Sequence, residues 1–540
     1  MLRRRHLGRI SFREANDLQH ALVNAADDYL LLMEHPATYT RGVRASDQSF
    51  LVPLDELNAV VETADRGGDV TFHGPGQIVA WAIVTVSSDP SSGRKHVCRL
   101  EDAVVATVTS LDHDGILGRV GRLDGYPGVW AHLDTLPQKI AAVGVRTQRD
   151  RHGRRRTLHG VALNVDCDLT RFDAIIPCGI ADKPVTSLRA LGLELRVAHV
   201  EPILDLEITK RLSEESRVAS VDVGAASEGG ERALLRRLRR AGVNPDESLP
   251  LNERKPEWLR IPAHMGEEYQ SLRSLTSDLQ LVTVCEEAGC PNIFECWKAG
   301  TATFMVNGER CTRACTFCLI DTRKPLALDP TEPSRVAEAV VRLNLAHAVV
   351  TCVARDDLAD GGAGAIADTI RAIRERRPET NIEVLVSDLR GDVDSLSLIL
   401  DARPDVVNHN METVARLQRA IRPSAGYARS LTVLARSSAS GLTTKSGMMV
   451  GLGETADEVE ETLADMSAVG VSIATIGQYL RPTKDHVPVA RWWEPAEFDD
   501  LAERGRALGL DHVQSSPLTR SSYHAKEALA ASTPVALRLR

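Results

Sequence analysis

The densest concentration of reactive side chains is a run of six cysteines between residues 285 and 318. They form two triads: Cys285, Cys290 and Cys296 with the spacing CxxxxCxxxxxC, then Cys311, Cys315 and Cys318 with the spacing CxxxCxxC. At this density in a reducing compartment, thiolates indicate a metal site rather than disulfides. Zinc ribbons usually carry paired CxxC knuckles, and here only Cys315 and Cys318 could supply one. Three neighbouring thiolates suit three irons of a 4Fe–4S cubane, which leaves the fourth iron for a substrate or for a ligand elsewhere in the chain.

A glycine-rich segment, DRGGDVTFHGPGQ (Asp65–Gln77), is the second candidate site. Glycines let backbone amides approach a ligand closely, and Arg66 and His73 add polar groups. The same segment also fits a plain strand–turn–strand connection. Two later residues change this interpretation, Lys139 in QKIAAVGVR and Cys178 in IIPCGI. A lysine beside a cysteine stabilises the thiolate and makes it a nucleophile at neutral pH.

Composition excludes several classes of function. The chain has 540 residues, a net charge of -9 and 4% aromatic residues, so it lacks both the basic field and the stacking surfaces of a nucleic-acid-binding protein. No window approaches the roughly 18 consecutive apolar residues of a membrane span. The N-terminal MLRRRHLGRISFREAND is basic but lacks the apolar run of a signal peptide. We therefore expect a cytoplasmic protein with neither nucleic acid nor membrane as a partner.

The elements that must position these residues begin with a mixed α/β region over residues 1–215. Val79–Val86 and Gly160–Val165 are apolar and β-branched enough to be strands. Gln19–Glu34 has the pattern of an amphipathic helix. From 216 to 248 the sequence turns small and polar, then basic, then turn-rich, which predicts an inter-domain linker with one helical piece.

The remaining residues, 249–540, alternate between strand and helix patterns. The predicted strands are Thr303–Val306, Ala348–Val353, Ile382–Val386, Asp405–Asn408, Thr443–Val450, Ser472–Tyr479 and His512–Gln514. Helices are predicted between most of them, such as Pro333–Asn344, Ala365–Arg376, Ala456–Val469 and Pro495–Leu508. This alternation implies a parallel sheet, and about seven strands fall short of a closed eight-stranded barrel, so a partial (β/α) barrel is expected. The CxxxCxxC loop follows the strand TATFMV and is therefore predicted at the mouth of the barrel.

The CxxxCxxC loop resembles that of the radical S-adenosylmethionine enzymes. In that superfamily the open iron binds S-adenosylmethionine, and an electron from the cluster cleaves it to a 5′-deoxyadenosyl radical. The motifs CEEAGCPNIFECW, RDDLADGGA, PDVVNHNMETV, TKSGMMVGLGE, TIGQYLRPT and RSSYHA follow the order seen in lipoyl synthases, over about residues 251–527. This resemblance implies that the first cysteine triad and Ser522 of RSSY hold an auxiliary 4Fe–4S cluster that donates sulfur. Serine is a poor iron ligand, which suits a cluster that must come apart.

The N-terminal segments, together with HPATYTRG, GVW and LHGVALNV, resemble the octanoyltransferases of lipoate biosynthesis over about residues 4–215. That family has the biotin/lipoate protein ligase-like α/β fold and carries octanoyl as a cysteine thioester. The resemblance implies that Cys178 is the nucleophile and that Lys139 lowers its pKa. It also implies an acyl site lined by Arg66, Gly67, Gly68, Asp69, Val70, Thr71, Phe72 and His73, by Ala142, Val143 and Gly144, and by Gly160, Val161 and Ala162. Cys98, Cys167 and Cys352 lie outside the site motifs and are interpreted as structural.

The two resemblances cover consecutive steps of one pathway, so the sequence predicts a bifunctional fusion. Its expected parts are an octanoyltransferase domain at 1–215, a linker at 216–248 and a lipoyl synthase domain at 249–540. The expected cofactors are two 4Fe–4S clusters and S-adenosyl-L-methionine. The expected partners are octanoyl-acyl carrier protein, the lipoyl domains of 2-oxoacid dehydrogenase complexes and glycine cleavage H protein, and an electron donor such as flavodoxin or ferredoxin.

Two alternatives remain open at this point. One is a methylthiotransferase-like radical enzyme acting on tRNA, against which the pI of about 6.0 and the few aromatic residues count. The other is an iron–sulfur storage or sensor protein fused to a lipoate-binding domain. The pairing of Cys178 with Lys139 favours a transferase over such a binding protein.

Overall fold

The computed structural model describes residues 1–213, 215–221, 231–260, 267–283, 292–298 and 301–532. The chain divides into two compact units, Met1–Ser220 and Val221–Arg540. Within these described ranges, no helix is both long enough and apolar enough to cross a membrane.

The first unit is an α/β structure. Its strands are β1 (Leu2–Arg9), β2 (Asp28–Glu34), β3 (Thr38–Arg41), β4 (Val60–Thr63), β5 (Val70–His73), β6 (Gln77–Ile83), β7 (Thr85–Val86), β8 (Gly121–Leu123), β9 (Tyr126–Ala131), β10 (Gln138–Arg149), β11 (Arg155–Asn164) and β12 (Ser216–Ser220). Its α-helices are Phe12–Leu22, Ser92–Leu111 and Val197–Leu212. The large sheet has the order β12-β1-β2-β6-β11-β10-β9-β8, with β7 paired to β11, and a small sheet has the order β4-β3-β5.

The two faces of the large sheet have different partners. On one face, alternate residues of the central strands, such as Leu30, Ala80 and Leu163, form a buried core with helices Ser92–Leu111 and Val197–Leu212. Successive side chains of a strand point to opposite faces. The intervening residues of β6, β10 and β11 therefore face the other way, where the first candidate site lies.

The prediction of a helix over Gln19–Glu34 is wrong. The helix lies earlier, at Phe12–Leu22, and begins with a capping box in which Ser11 and Glu14 each accept the other's backbone N–H. Residues Asp28–Glu34 form β2 instead. Because β2 lies between β1 and β6 and is buried on both faces, its run DYLLLME lacks the polar alternation that would have identified a strand.

The second unit has an eight-stranded sheet and flanking helices. Its strands are β13 (Val282–Thr283), β14 (Thr301–Val306), β15 (His347–Cys352), β16 (Asn381–Leu385), β17 (Val406–Asn408), β18 (Thr443–Val450), β19 (Ile473–Gln478) and β20 (His512–Ser515). Its α-helices are Glu231–Arg240, Glu267–Asp278, Ile293–Lys298, Glu332–Arg342, Ala363–Arg376, Val393–Asp401, Gln418–Ile421, Tyr427–Ala439, Ala456–Ala468, Pro495–Ala507 and Ala525–Ala531.

The predicted partial barrel is confirmed. Strands β14 to β20 pair in parallel with their neighbours in chain order, and among the described residues the sheet is an open path rather than a closed ring. The short β13 adds an antiparallel edge beside β14 that the sequence pattern did not predict. All the parallel strands end at one edge, so the loops that follow them meet there.

Part of the segment predicted as a linker is regular structure. Ser216–Ser220 is β12, which pairs in parallel with β1. Glu231–Arg240 is an amphipathic helix of the second unit whose Leu234 and Leu238 are buried. The division into domains at 1–215 and 249–540 stays a prediction.

A buried ion pair crosses the inside of the second sheet. Glu383 of β16 accepts from the Lys445 ammonium of β18 at 3.0 Å and from Asn408 of β17 at 2.9 Å. Both charged side chains are 1% exposed. Burial raises the pKa of Glu383, but Lys445 and the neighbouring His347 and Asn408 outweigh it and lower that pKa to about 2.

Removing the acidic partner should destabilise the second unit strongly. Glu383→Ala leaves the Lys445 ammonium buried without its carboxylate, which costs about 3–5 kcal/mol of unfolding free energy. Asp368→Ala is the matched control, because both side chains of the Arg371–Asp368 pair are exposed. Loss of this pair should cost less than about 1 kcal/mol of unfolding free energy. Urea denaturation followed by circular dichroism measures both, and equal losses would contradict the expectation.

Candidate active sites

The first candidate site is a cavity of about 900 Å³, part of it open to solvent. It lies on the face of the large sheet opposite helices Ser92–Leu111 and Val197–Leu212. Among the residues expected at the acyl site, those that line it are Arg66, Gly67, Gly68, Thr71, His73, Ala142, Val143, Gly144, Gly160, Val161 and Ala162. Lys139 and Cys178 line the same cavity. The structure therefore brings residues far apart in the sequence around one space, although their roles stay predictions.

Three of the expected residues, Asp69, Val70 and Phe72, lie elsewhere. In β5 the side chains alternate, so Thr71 and His73 face the cavity while Val70 and Phe72 pack into a small core on the other side. Asp69 caps the strand instead: its carboxylate accepts from the Val70 N–H at 2.7 Å and from the Ser49 hydroxyl at 2.9 Å.

Small residues form the part of the cavity supplied by β10 and β11. The strand register places Ala142 opposite Ala162 and Gly144 opposite Gly160. A Cβ on Gly144 would lie 3.1 Å from the Gly67 carbonyl oxygen and 3.2 Å from the Arg66 side chain. Larger residues at these positions would fill the space, so the sequence of these two strands is what leaves room for an apolar chain.

Cys178 lies on a tight turn, Pro177–Gly179, and has a left-handed backbone with φ +57°. Such a conformation is uncommon for a residue with a Cβ and is concentrated at functional sites. Lys139 is 4% exposed, and its Nζ lies 5.5 Å from the centroid of the Trp130 ring. The backbone of Lys139 is fixed by the segment that follows Cys178, because the Lys139 N–H donates to the Pro184 carbonyl at 2.9 Å.

Arg66 is the second cation near Cys178. Its guanidinium donates to the Thr40 carbonyl at 2.7 Å and to the Asp69 carbonyl at 2.8 Å, so it is held by backbone rather than by a salt bridge. Burial lowers the pKa of Arg66, and negative charge at Cys178 and at Asp69 opposes that shift. Arg66, Lys139 and Cys178 thus line one cavity.

Sequence reasoning missed a histidine–carboxylate pair at this cavity. His159, which lines it, has φ +60° within β11 and donates from Nε2 to Asp65 Oδ1 at 2.6 Å. Burial lowers the pKa of His159, whereas the hydrogen bond from His159 lowers the pKa of Asp65 to about 2. Trp81 packs edge-on against His159 with centroids 5.0 Å apart. The motif LHGVALNV contained this histidine, but nothing in its spacing linked it to Asp65.

The second candidate site is at the carboxyl edge of the partial barrel. The loop with Cys311, Cys315 and Cys318 follows β14, as predicted. Backbone bonds fix it: the Thr312 N–H donates to the Ala354 carbonyl at 3.0 Å and the Thr316 N–H to the Ile421 carbonyl at 2.9 Å.

Arg313, between the first two of these cysteines, holds the loop against the neighbouring strands. Its guanidinium makes two hydrogen bonds of 2.8 Å to Asp356 and one of 2.6 Å to Asp388, in the loops after β15 and β16. Its backbone N–H points at Cys311 Sγ at 3.4 Å. Burial lowers the pKa of Arg313, but the two carboxylates outweigh it and raise that pKa above its ordinary value.

The cysteine loop fits an iron–sulfur cluster in its donor set. Burial raises the pKa of Cys315 to about 11 and that of Cys318 to about 12, and the charge of Cys311 acts in the same direction on both. In the described ranges no three His, Cys, Asp or Glu side chains could hold one metal ion. A cubane differs from such an ion because its three thiolates bind three different irons.

A cavity of about 1690 Å³, part of it open to solvent, adjoins this loop and is lined by Cys318, Glu412, Asn410 and Ser522. Asn410 Nδ2 donates to Ser521 Oγ at 2.7 Å and to Glu412 at 3.1 Å. Its Oδ1 is buried and has no hydrogen-bond partner among the described residues. Asn410 thus joins the loop of Ser521 to Glu412 beside this cavity and keeps one acceptor atom without a partner among the described residues.

The residues expected at the auxiliary cluster are described only in part, because Cys285 and Cys290 lie outside the described residues. Cys296 lies in helix Ile293–Lys298, whose Glu295 accepts from the Tyr523 hydroxyl at 3.1 Å. Burial and the charges of Glu295 and Cys296 raise the pKa of Tyr523 to about 12. Cys296 and the loop with Ser522 are therefore near one another.

Two family models match the chain, one in each unit. Residues 12–208 match the lipoyl protein ligase A/B catalytic domain. Residues 305–466 match the radical SAM superfamily.

Known relatives are similar to a large part of the chain. The lipoyl synthase of Mycolicibacterium paratuberculosis is 51% identical over 290 residues, which cover 54% of this chain and 94% of that protein. The lipoyl synthase of Symbiobacterium thermophilum is 50% identical over 295 residues, covering 53% and 92% respectively. Among solved structures, the bi-partite lipoate protein ligase of Thermoplasma acidophilum is 18% identical, with a TM-score of 0.33, over 41% of this chain and 88% of that one.

Enlarging one small residue should close the first cavity. Ala142→Leu should weaken binding of octanoate about tenfold, because displacing two buried methylenes at about 0.8 kcal/mol each corresponds to that factor. Isothermal titration calorimetry measures the change. Gln148→Leu, on the same strand but outside the cavity lining, should bind as the unchanged chain does. Equal affinity of both variants would contradict the placement of the acyl chain.

Proposed function

The chain belongs to the lipoyl synthase family, and we propose that it is a bifunctional enzyme of lipoate biosynthesis. Its first unit transfers octanoyl from octanoyl-acyl carrier protein to a lysine of a lipoyl domain. Its second unit then replaces one hydrogen at C6 and one at C8 of that octanoyl chain with sulfur. The first unit thus makes the substrate of the second.

Acyl transfer requires a nucleophile, a means of ionising it and room for the chain. Cys178 Sγ attacks the octanoyl thioester, so that a new thioester forms while the thiol of the carrier leaves. The lysine amine of the lipoyl domain then attacks the same carbonyl, an amide forms and the Cys178 thiolate leaves. The supporting observation is that Cys178, Lys139 and the small residues of β10 and β11 line one cavity.

Two basic side chains, Lys139 and Arg66, line the cavity that contains Cys178. A positive charge beside a thiol favours its thiolate and lowers its pKa. Lys139 is the group that can also exchange a proton, whereas Arg66 stays charged and is fixed by backbone carbonyls. We assign Lys139 to lowering the thiol pKa and Arg66 to stabilising charge at the acyl carbonyl.

In the second unit, Cys311, Cys315 and Cys318 would hold a 4Fe–4S cluster whose open iron binds S-adenosyl-L-methionine. When bound, the cluster and S-adenosyl-L-methionine together would supply the 5′-deoxyadenosyl radical that removes a hydrogen atom from an inert C–H bond. Arg313 keeps the cysteine loop at the barrel edge by its bonds to Asp356 and Asp388. The supporting observation is that this loop adjoins a cavity lined by Cys318, Asn410 and Glu412 at the carboxyl edge of the barrel.

A second 4Fe–4S cluster, held by Cys285, Cys290, Cys296 and Ser522, would supply the two sulfur atoms. Ser522 lines the cavity that adjoins Cys318, and its neighbour Tyr523 bonds to the helix of Cys296. The partners are then octanoyl-acyl carrier protein, lipoyl domains of 2-oxoacid dehydrogenase complexes and of glycine cleavage H protein, and a reductant of the flavodoxin or ferredoxin class.

The acyl step should depend on Cys178 and, in a pH-dependent way, on Lys139. Octanoyl carrier protein alone should leave a hydroxylamine-labile octanoyl group on the chain, and Cys178→Ser should abolish it. Lys139→Ala should slow acylation more at pH 7 than at pH 9, because the thiol ionises unaided at the higher pH. Mass spectrometry of the intact chain measures both.

Cys167 provides the control for this experiment. Burial raises the pKa of the Cys167 thiol to about 12, so Cys167→Ala should acylate normally. Octanoyl found on Cys167 rather than Cys178, or a Lys139→Ala profile that is parallel to the wild-type profile, would refute the assignment.

The two cysteine triads should fail in different ways. The anaerobically reconstituted chain should hold about eight irons, and triple replacement of the first triad by alanine should leave about four. Replacing Cys311, Cys315 or Cys318 should eliminate 5′-deoxyadenosine, whereas Cys290→Ala should retain some and form no lipoyl group. Each variant is incubated with octanoyl carrier protein, apo-lipoyl domain, S-adenosylmethionine and reductant. Mass spectrometry of the lipoyl domain then measures both octanoyl transfer and sulfur insertion.

Ser522→Ala should behave like Cys290→Ala but more mildly, since water can fill the iron position that serine leaves. Octanoyl transfer should survive every one of these changes. Tightly bound zinc without iron–sulfur absorption would overturn the cluster assignments, and wild-type lipoyl formation by Cys290→Ala without added sulfide would overturn the sulfur source.

A further inference from the structure

The end of the Lys139 side chain lies against the backbone of Gly128. A Cβ built on Gly128 would lie 2.7 Å from Lys139 Cε and 3.4 Å from its Nζ, and the φ of Gly128 is +113°. Trp130, two residues further along β9, points to the same side of the strand and places its ring centroid 5.5 Å from Nζ. Only glycine leaves this path open, so the GVW sequence determines how Lys139 reaches the cavity.

A buried carboxylate fixes the Gly128 peptide. Glu101, in helix Ser92–Leu111, is 4% exposed, and its Oε1 accepts from the Gly128 N–H at 3.0 Å. Its Oε2 accepts from Arg122 Nε at 2.7 Å. Arg122 also donates to Asp102 at 2.6 Å and to the Cys98 carbonyl at 2.7 Å, which fixes the guanidinium in turn. Both carboxylate oxygens are therefore engaged, and the direction of the Gly128 peptide follows from them.

We propose that Glu101 is a positioning residue for acyl transfer. By fixing the Gly128 peptide, it places the Lys139 ammonium where that ammonium stabilises the Cys178 thiolate. The inference rests on the role of Lys139 in the proposed function. Glu101 itself lies behind Gly128 and acts only through it. Its loss would therefore change the ionisation of Cys178 rather than the fit of the acyl chain.

The test measures the ionisation of Cys178 directly in the full chain. The rate at which iodoacetamide modifies Cys178, followed by peptide mass spectrometry across pH 6–10, reports the thiolate fraction. Glu101→Ala should lower that rate about threefold or more at pH 7, with the difference vanishing where the thiol ionises unaided. Glu101→Gln should recover most of the rate, because its amide oxygen can accept the same N–H.

A neighbouring carboxylate provides the matched control. Asp102 bonds to the same Arg122 guanidinium but is 53% exposed, so Asp102→Asn should leave the alkylation profile unchanged. Arg122→Ala is a second variant in case Glu101→Ala does not fold, since Arg122 is 42% exposed. It frees one carboxylate oxygen and should shift the profile in the same direction by less.

Three outcomes would overturn the inference. If Lys139→Ala shifts the profile while neither Glu101→Ala nor Arg122→Ala does, the proposed function stands and the role of Glu101 is refuted. If Asp102→Asn shifts it as much as Glu101→Ala, the effect belongs to the helix charge and not to Gly128. If Lys139→Ala leaves the profile unchanged, the role of Lys139 in the proposed function fails and this inference fails with it.

Discussion

The geometry of the second site depends on one buried guanidinium. The cysteine loop after β14 contains no helix, so its position comes from contacts rather than from regular structure. Arg313 supplies them by joining the loop to Asp356 and Asp388, which follow the two neighbouring strands. Removing one partner of a buried ion pair costs about 3–5 kcal/mol, more than a typical loop hydrogen bond contributes. Parallel strands bring these loop residues to one edge, and the ion pairs then fix the thiols there.

The first site depends instead on what β10 and β11 leave out. A central sheet strand is normally filled with large apolar side chains on both faces. Here one face packs under two helices, as Leu163 does, whereas the face that borders the cavity has the small residues Ala142, Gly144 and their partners across the strands at its centre. The missing volume becomes the cavity. Polar groups reach the cavity from the sheet itself, through Lys139 of β10 and His159 of β11, and also from β5 and the turn at Cys178.

The sequence predicted the parallel strands of the second unit because each is a short apolar run separated by a long helical pattern. It failed at β2, whose apolar run DYLLLME does not by itself distinguish a strand from a helix, and where basic residues are buried in a strand, as Arg3 and Arg5 are in β1. Motif resemblance could nominate the range Arg66–His73, but only the pleat of β5 decides which side chains face the cavity. Contacts such as that of His159 with Asp65 join residues 94 positions apart, and no local pattern encodes them.

The adjacent residues Ser521 and Ser522 differ in their contacts. Ser521 accepts a hydrogen bond from Asn410, which follows β17, and so ties its loop to the barrel edge. On its other side the same loop is tied to the segment of Cys296, since Asn292 donates to the Leu518 carbonyl at 2.6 Å. Among the described residues, the bonds that fix this loop come from the neighbours of Ser522. If Ser522 is the iron ligand that we propose, a weak ligand on a fixed loop could release iron without moving, as a sulfur-donating cluster would require.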